Sequence, residues 1–445
     1  MPPKKKGPSK AAVENEQQVR ALLSAYAGAA RAWLTRPSAD LVKRIEEVAE
    51  KSKPLECVAL AEPLGAPGVQ AICDVLAGYP KCRNLQLWRC GIGDEGLDAI
   101  STYLKASTRP WTRASQLKLL DVAHDNGFAP NSAAVVAQTA VAMDEQKEYA
   151  GEPLLLNDAR PAFSPRALWN LGDALASVLG GDDPAGGVGA GVGGKGGVGM
   201  TLKVLKLDRN FIGDEGCAVL VRGLAACKSI SVLHLTHNNL GPTSARAISG
   251  LMKEKPAPKP PQRLPPDPNV ALTDVERAAL EAEVADAVAA TEEEELTWAP
   301  YPGGGGGLGG KDWAVCKLTE LYIGNNPLGT EGVAHLAEGL GHSTHLKVLS
   351  MPHVGLGDDV AAMKVLVAGL EKNSSLTHLD LARNHLGESA SLLLPVLALK
   401  EDLRQCRVSE RVQRHVVYAI KEIIVKRCSK KKGGKKKGGG KKKKK

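Results

Sequence analysis

At 445 residues with 43% hydrophobic content the chain can bury a large core, and because aromatics make up only 4%, that core must be aliphatic. The net charge of +9 sits on the ends: residues 1–10 hold four Lys and residues 426–445 hold thirteen Lys or Arg, so the body between them carries about −8, which argues against a nucleic-acid-binding domain with a basic face. No apolar run approaches the ~20 residues of a membrane span, and nine Cys without a C-x-x-C pair argue against a disulfide framework or a zinc site and for a reducing, intracellular setting.

Taken in chain order, residues 1–10 (MPPKKKGPSK) are basic, lack the apolar stretch of a secretory signal and are expected to be disordered. Residues 11–54 hold two helical patterns, 11–35 and 39–52, which predict an N-terminal helical cap on the core that begins at residue 55. From 55 to 143 a repeated pattern appears in three weak copies. They read Leu55, Val58, Leu60, Pro63; then Cys82, Leu85, Leu87, Cys90, Ile92, Gly93; then Leu117, Leu120, Val122, Asp125. Residues 144–200 read as an insert that ends in a Gly-rich linker. In 201–252 the pattern is complete: Leu202, Leu205, Leu207, Asn210, Ile212, Gly213, and 28 residues later Ile230, Leu233, Leu235, Asn238, Leu240, Gly241.

A second insert, 253–316, joins a Pro-rich stretch, an acidic helical pattern over 273–297 and a Gly run. It reads as a loop thrown out between repeats, or alternatively as a helix that docks on a partner. Three further copies fill 317–400, beginning at Leu318, Leu346 and Leu376. In 401–428, Val412, Val416, Ile420 and Ile424 recur at i, i+4 and predict a closing cap helix over 409–427. Residues 429–445 are almost wholly Lys and Gly and are expected to be disordered.

The spacing has a physical cause. Counting the first Leu of each copy as offset 0, leucines at offsets 3 and 5 alternate as a strand requires, which puts both on one face. The Asn at offset 8 ends the strand, where its amide can hydrogen-bond backbone groups as the chain turns, and Cys90 fills that slot in one copy. A Gly-punctuated turn comes next, as in 212–216 and 328–332, and then a stretch with apolar spacing of 3.6, as in 217–225 and 333–341. A strand and an antiparallel helix of this size cannot bury their apolar faces alone, so the units must stack.

Over 55–143, 201–252 and 317–400 these residues resemble the ribonuclease-inhibitor-like leucine-rich-repeat family. That family includes the ribonuclease inhibitors, the Ran GTPase-activating protein, the sensor domains of NOD-like receptors and repeat proteins of ciliary axonemes. The resemblance implies an α/β leucine-rich-repeat solenoid, a horseshoe with parallel strands on its concave face and helices on its convex face, and a role in binding other proteins.

On that fold the central concave column, offset 4, reads Gln86, Asp121, Lys206, His234, Tyr322, Ser350 and Asp380. The flanking column, offset 6, adds Trp88, Asp208 and Thr236. A mixed polar row with Trp and Tyr suits a protein interface, in which aromatic anchors carry much of the energy. The alternative is that these are ordinary solvated strand positions while a partner binds the helices or an insert. The string KGGVGMT, 195–201, imitates a phosphate loop, but Met200 stands where a Lys must reach the phosphates and a strand follows where a helix must begin. His234, His237 and His378 lie on or just after strands without a Cys, Asp or Glu cluster at ligand spacing. No catalytic residue, cofactor or metal is therefore expected.

The expected function is a non-enzymatic scaffold inside a large assembly. The Lys-rich ends and Ala/Gly/Pro-laden inserts resemble axonemal repeat proteins, which implies a structural component of the cilium or flagellum. A nucleolar or ribosome-associated binder is the alternative, and a GTPase-activating regulator of the Ran type a remoter one, since that family ends its repeats in an acidic segment. The tail would act as a flexible polycation on tubulin tails, RNA or anionic lipid, without base-specific contacts.

Overall fold

The computed structural model describes residues 9–106, 117–124, 163–176, 202–227, 229–253, 316–409 and 411–433. All of them belong to one compact unit that comprises residues 1–254 and 314–445. The KGGVGMT string, the Gly-rich run before it, the acidic 273–297 stretch and residues 434–445 lie outside the described residues.

Two helices open the unit, α1 (Lys10–Ala32) and α2 (Ala39–Glu50), with Ser9 and Ser38 accepting from the first free backbone N–H groups. Strand and helix then alternate. Strand β1 (Cys57–Leu60) leads to α3 (Gly65–Ala77), β2 (Asn84–Leu87) to α4 (Gly93–Ala106), and β3 (Leu119–Asp121) to α5 (Pro165–Ala176). Next come β4 (Val204–Lys206) with α6 (Gly213–Ala226), β5 (Val232–His234) with α7 (Pro242–Met252), and β6 (Glu320–Tyr322) with α8 (Gly329–His342). Strand β7 (Val348–Ser350) precedes α9 (Val360–Lys372), and β8 (His378–Leu381) precedes a 3-10 turn and the short α10 (Leu393–Leu399). The last pair is β9 (Gln405–Val408) with α11 (Arg414–Gly433).

The nine strands form one sheet in sequence order, β1 to β9, and every pairing is parallel. Leucine stacks on leucine: Leu205 pairs with Leu233, Leu233 with Leu321, and Leu321 with Leu349. All four are fully buried. Offsets 3 and 5 thus face the helices, as the alternation requires. In four repeats an Asn just past the strand (Asn210, Asn238, Asn326 or Asn384) holds the turn that follows it. Asn326 donates from Nδ2 to Ile323 O at 2.7 Å in its own repeat and to Leu235 O at 2.8 Å in the repeat before. Its Oδ1 accepts from Asn238 N and Leu240 N. Asn210 and Asn384 make the same kind of double donation, while Cys90 uses its thiol toward Trp88 O and Leu60 O. These buried amides join each repeat to the one before it. Gly213, at φ 69°, makes the turn into α6 in a conformation that L side chains rarely adopt.

The structure adds three things to the sequence reading. The first concerns 144–200, taken from the sequence as lying between repeats. Helix α5 falls inside that stretch, yet it packs between α4 and α6 and serves as the helix of the third repeat. Asp94, at the start of α4, accepts from Ser164 N at 2.7 Å just ahead of α5, and Asn170 donates to Asp98 at 2.8 Å. Asp214 does the same for α7, accepting from Gly241 N at 2.7 Å and from Ser244. Second, β9 closes the sheet ahead of the C-terminal helix, which the sequence reading did not assign. Third, α11 runs to Gly433, five residues into the stretch expected to be disordered.

Eight cysteines among the described residues are free thiols, six of them buried. Burial pushes the thiols of Cys82, Cys90 and Cys217 up to about 12, so they act as small core fillers.

Candidate protein-binding surface

The parallel register lines up offset 4. Gln86 lies beside Asp121, then Lys206, His234, Tyr322, Ser350 and Asp380 follow in adjoining strands, with Ala59 and Arg407 at the two ends. All of them point away from the leucines, because the strand period is two. The expected row is therefore one continuous column on the strand face, and Trp88, Asp208 and Thr236 stand in the neighbouring column just past the strands.

Local chemistry holds this column in place. Lys206 Nζ lies 3.7 Å from Asp121 Oδ2. The Trp88 indole also hydrogen-bonds the Asp121 carboxylate. Burial nevertheless raises the Asp121 pKa above the ordinary aspartate value, outweighing both partners. Asp208 accepts from Thr236 N at 2.7 Å and from Thr236 Oγ1 at 2.6 Å, and its other oxygen sits 3.8 Å from His234 Nδ1. His234 stacks on Tyr322 with ring centroids 4.2 Å apart and planes 17° from parallel. Burial lowers the His234 pKa against the pull of Asp208, so the stack holds a neutral imidazole at pH 7. Tyr322 donates to Glu320 Oε2 at 2.9 Å, and burial followed by that carboxylate pushes its hydroxyl up to about 12. Asp380 accepts from Ala382 N at 3.0 Å and lies 3.8 Å from Arg407. Trp88 remains 38% exposed, so the stacked Tyr322 is the pre-ordered aromatic and Trp88 the open one.

Most charged groups of the column thus meet a partner within it: Lys206 and Trp88 at Asp121, Thr236 and His234 at Asp208, Tyr322 at Glu320 and Arg407 at Asp380. Among the described residues no three His, Cys, Asp or Glu side chains converge as a metal site, and no helix is long and apolar enough to cross a membrane.

The register and the asparagine joints decide what kind of array this is. It is a leucine-rich-repeat solenoid. The family described as Leucine Rich repeat matches residues 83–101, 200–221, 226–249, 316–337 and 372–389, which carry β2, β4, β5, β6 and β8. A stretch of 86 residues, 19% of this chain, is 42% identical to NACHT, LRR and PYD domains-containing protein 5 of Mus musculus, and it spans 7% of that protein's length. The solenoid also contains β1, β3, β7 and β9, whose sequences fall outside those matches but whose strands pair in the same sheet.

Two features of the strand face escaped the sequence reading. One is the row at offset 2, where Leu119, Val204 and Val232 adjoin in successive strands and stay half-exposed beside the polar column. Alternation itself signals this row, since offsets 2 and 4 must share a face. The other is charge. The net positive excess stays on the chain ends, but within the acidic body exposed cations gather at the two edges of the strand face: Arg83, Lys118, Lys203, Lys347 and Arg404 on one, Arg89, Arg209 and Arg383 on the other.

Proposed function

We propose that this chain is a non-enzymatic scaffold that holds another protein on the strand face of its repeat array. The reading is supported above all by the unbroken nine-strand register, which offers a polar column with Tyr322 and Trp88 next to an aliphatic row. Aromatic anchors with apolar and polar side chains side by side on one face suit a protein interface. A photo-crosslinking residue placed at Gln86 or Ser350 should trap protein adducts in cells, whereas one placed at the exposed helix position Lys364 should not. Adducts from Lys364 alone would move the binding site to the helices.

Within that role the finer reading is a structural component of the ciliary or flagellar axoneme, with the Lys-rich tail resting on an acidic filament. Its supports are compositional: basic ends and Ala/Gly/Pro-laden inserts. Fractionation tests it, since an axonemal component stays with salt-washed axonemes. Recovery with nuclei and loss on RNase treatment would favour the nucleolar alternative, in which the tail binds RNA.

A further inference from the structure

Each repeat places one residue just ahead of its strand, at offset 1, and these residues run along one edge of the face. Successive backbone bonds join them: Lys118 N donates to Arg83 O, Lys203 N to Lys118 O, Ser231 N to Lys203 O, Thr319 N to Ser231 O and Lys347 N to Thr319 O. The line ends at Arg404, whose N–H donates to Thr377 O. This leading rim therefore carries the exposed cations Arg83, Lys118, Lys203, Lys347 and Arg404. Its one carboxylate, Glu56, belongs to the first repeat and lies 3.8 Å from Arg83.

The opposite edge is offset 7, where the chain leaves each strand. From the second repeat to the eighth every residue there adopts a left-handed φ between 51° and 68°: Arg89, His124, Arg209, His237, Asn325, His353 and Arg383. The backbone locks the set, with Arg89 N donating to His124 O, Arg209 N to Thr236 O and His353 N to Ala382 O. Arg89, Arg209 and Arg383 are exposed, and no carboxylate occupies this rim between those repeats. Among the described residues Lys118, Lys203, Lys347, Arg209 and Arg383 pair with no carboxylate. An acidic body thus exposes two cationic lines that only the stacking of repeats brings into register.

Between the rims lies a floor that polyphosphate would not suit. Asp121, Asp208, Glu320 and Asp380 stand in it against the cations Lys206 and Arg407, and Leu119, Val204 and Val232 form its aliphatic row. A phosphate backbone gains nothing from aliphatic side chains and meets more carboxylates than cations in this floor, Asp208 and Glu320 being without a Lys or Arg partner among the described residues. A protein can cover the aliphatic row, supply donors to the carboxylates and surround both with Asp and Glu. We infer that the strand face docks a protein that covers the aliphatic row with apolar side chains and presents Asp and Glu at its perimeter, where the two cationic rims grip them. This rests on the strand-face reading proposed above and adds the chemistry of the partner.

The test uses the full chain, so that every variant keeps both Lys-rich ends. The probe is a short fluorescent peptide of Glu interspersed with Leu, compared with an oligouridylate of equal charge. Lys118→Glu, Lys203→Glu and Lys347→Glu together should weaken peptide binding about tenfold or more at low salt, with the difference shrinking as salt rises. Lys43→Glu, Lys364→Glu and Lys421→Glu, which change net charge equally from exposed helix positions, should leave most of the binding intact. The neutral set Lys118→Gln, Lys203→Gln and Lys347→Gln should give a smaller loss, with a thermal melt confirming that the fold is kept. Carbodiimide coupling should join the bound peptide to Lys118, Lys203 or Lys347 in preference to Lys364. Equal losses in the two charge-reversed sets, or rim-dependent binding of oligouridylate alone, would overturn the inference. If strand-face crosslinks to protein persist while rim reversal changes nothing, the acidic partner is wrong and the strand-face reading stands.

Discussion

Gly223→Ala in α6 puts the placement of α5 to a direct test. In a solvated helix this change stabilises by about 1 kcal/mol, because alanine has the higher helix propensity. Here a Cβ on Gly223 would be driven into the backbone of Gly172 in α5, atoms that no rotamer change can move. Carbon pairs are at ease at ~3.5–4.0 Å, so the two helices must separate by more than about 1 Å, and a gap of that size forfeits about a quarter to a half of each neighbouring contact. Overpacking of this kind costs roughly 1–3 kcal/mol or more, which outweighs the propensity gain and leaves a net loss near 2 kcal/mol. Gly172→Ala should cost less, since its Cβ would meet Gly223 Cα at 3.3 Å, a contact that a small shift relieves. Gly28→Ala is the internal standard, for its Cβ meets nothing within 4 Å and the change should stabilise α1. Urea denaturation followed by circular dichroism, at one protein concentration, gives the three midpoints. If Gly223→Ala shifts the midpoint upward as Gly28→Ala does, α5 is not against α6 and the third repeat takes its helix from elsewhere.

Leu321→Ala removes a buried leucine stacked between Leu233 and Leu349 and should destabilise by roughly 2–5 kcal/mol. Tyr322→Ala on the opposite face should cost less stability but weaken partner binding, and a larger drop in melting temperature for Tyr322→Ala would put the strand register off by one. Asn326→Ala strands two carbonyls and two N–H groups in the core, so it should cost about 2–4 kcal/mol, read from the same urea curves. His237 is held down to about 4 by burial first and then by Arg209, His353 and His124, against the opposing pull of Asp208. Because the folded state binds its proton less readily than the unfolded chain, this residue's contribution is full above the ordinary histidine pKa of ~6.5 and falls away as pH drops toward about 4. His237→Asn, which suits the left-handed φ of 56°, should flatten that part of the stability–pH curve, and an unchanged curve would refute the assignment.

The amino-acid sequence by itself determined the repeat, because its signal is local. Leu202, Leu205 and Leu207 declare a strand face, Asn210 declares the strand's end and Gly213 the turn, all within twelve residues. Once strands stack in sequence order, Gln86 through Asp380 must share a column, so the central row of the candidate site was legible too. Three things were not, each because it depends on contacts between residues far apart in the chain. The stretch that became α5 has helical spacing but no adjoining strand, and only Asp94 reaching Ser164 and Gly172 meeting Gly223 put it into the third repeat. Strand β9 carries Cys406 where a leucine is expected, so its pairing with β8 was needed to see it. The cations of the rims are spread, at most one per repeat on each edge, through a body that is acidic on average, and composition averages them away. Stacking decides them, because parallel strands in register bring residues 28 or more positions apart onto one line.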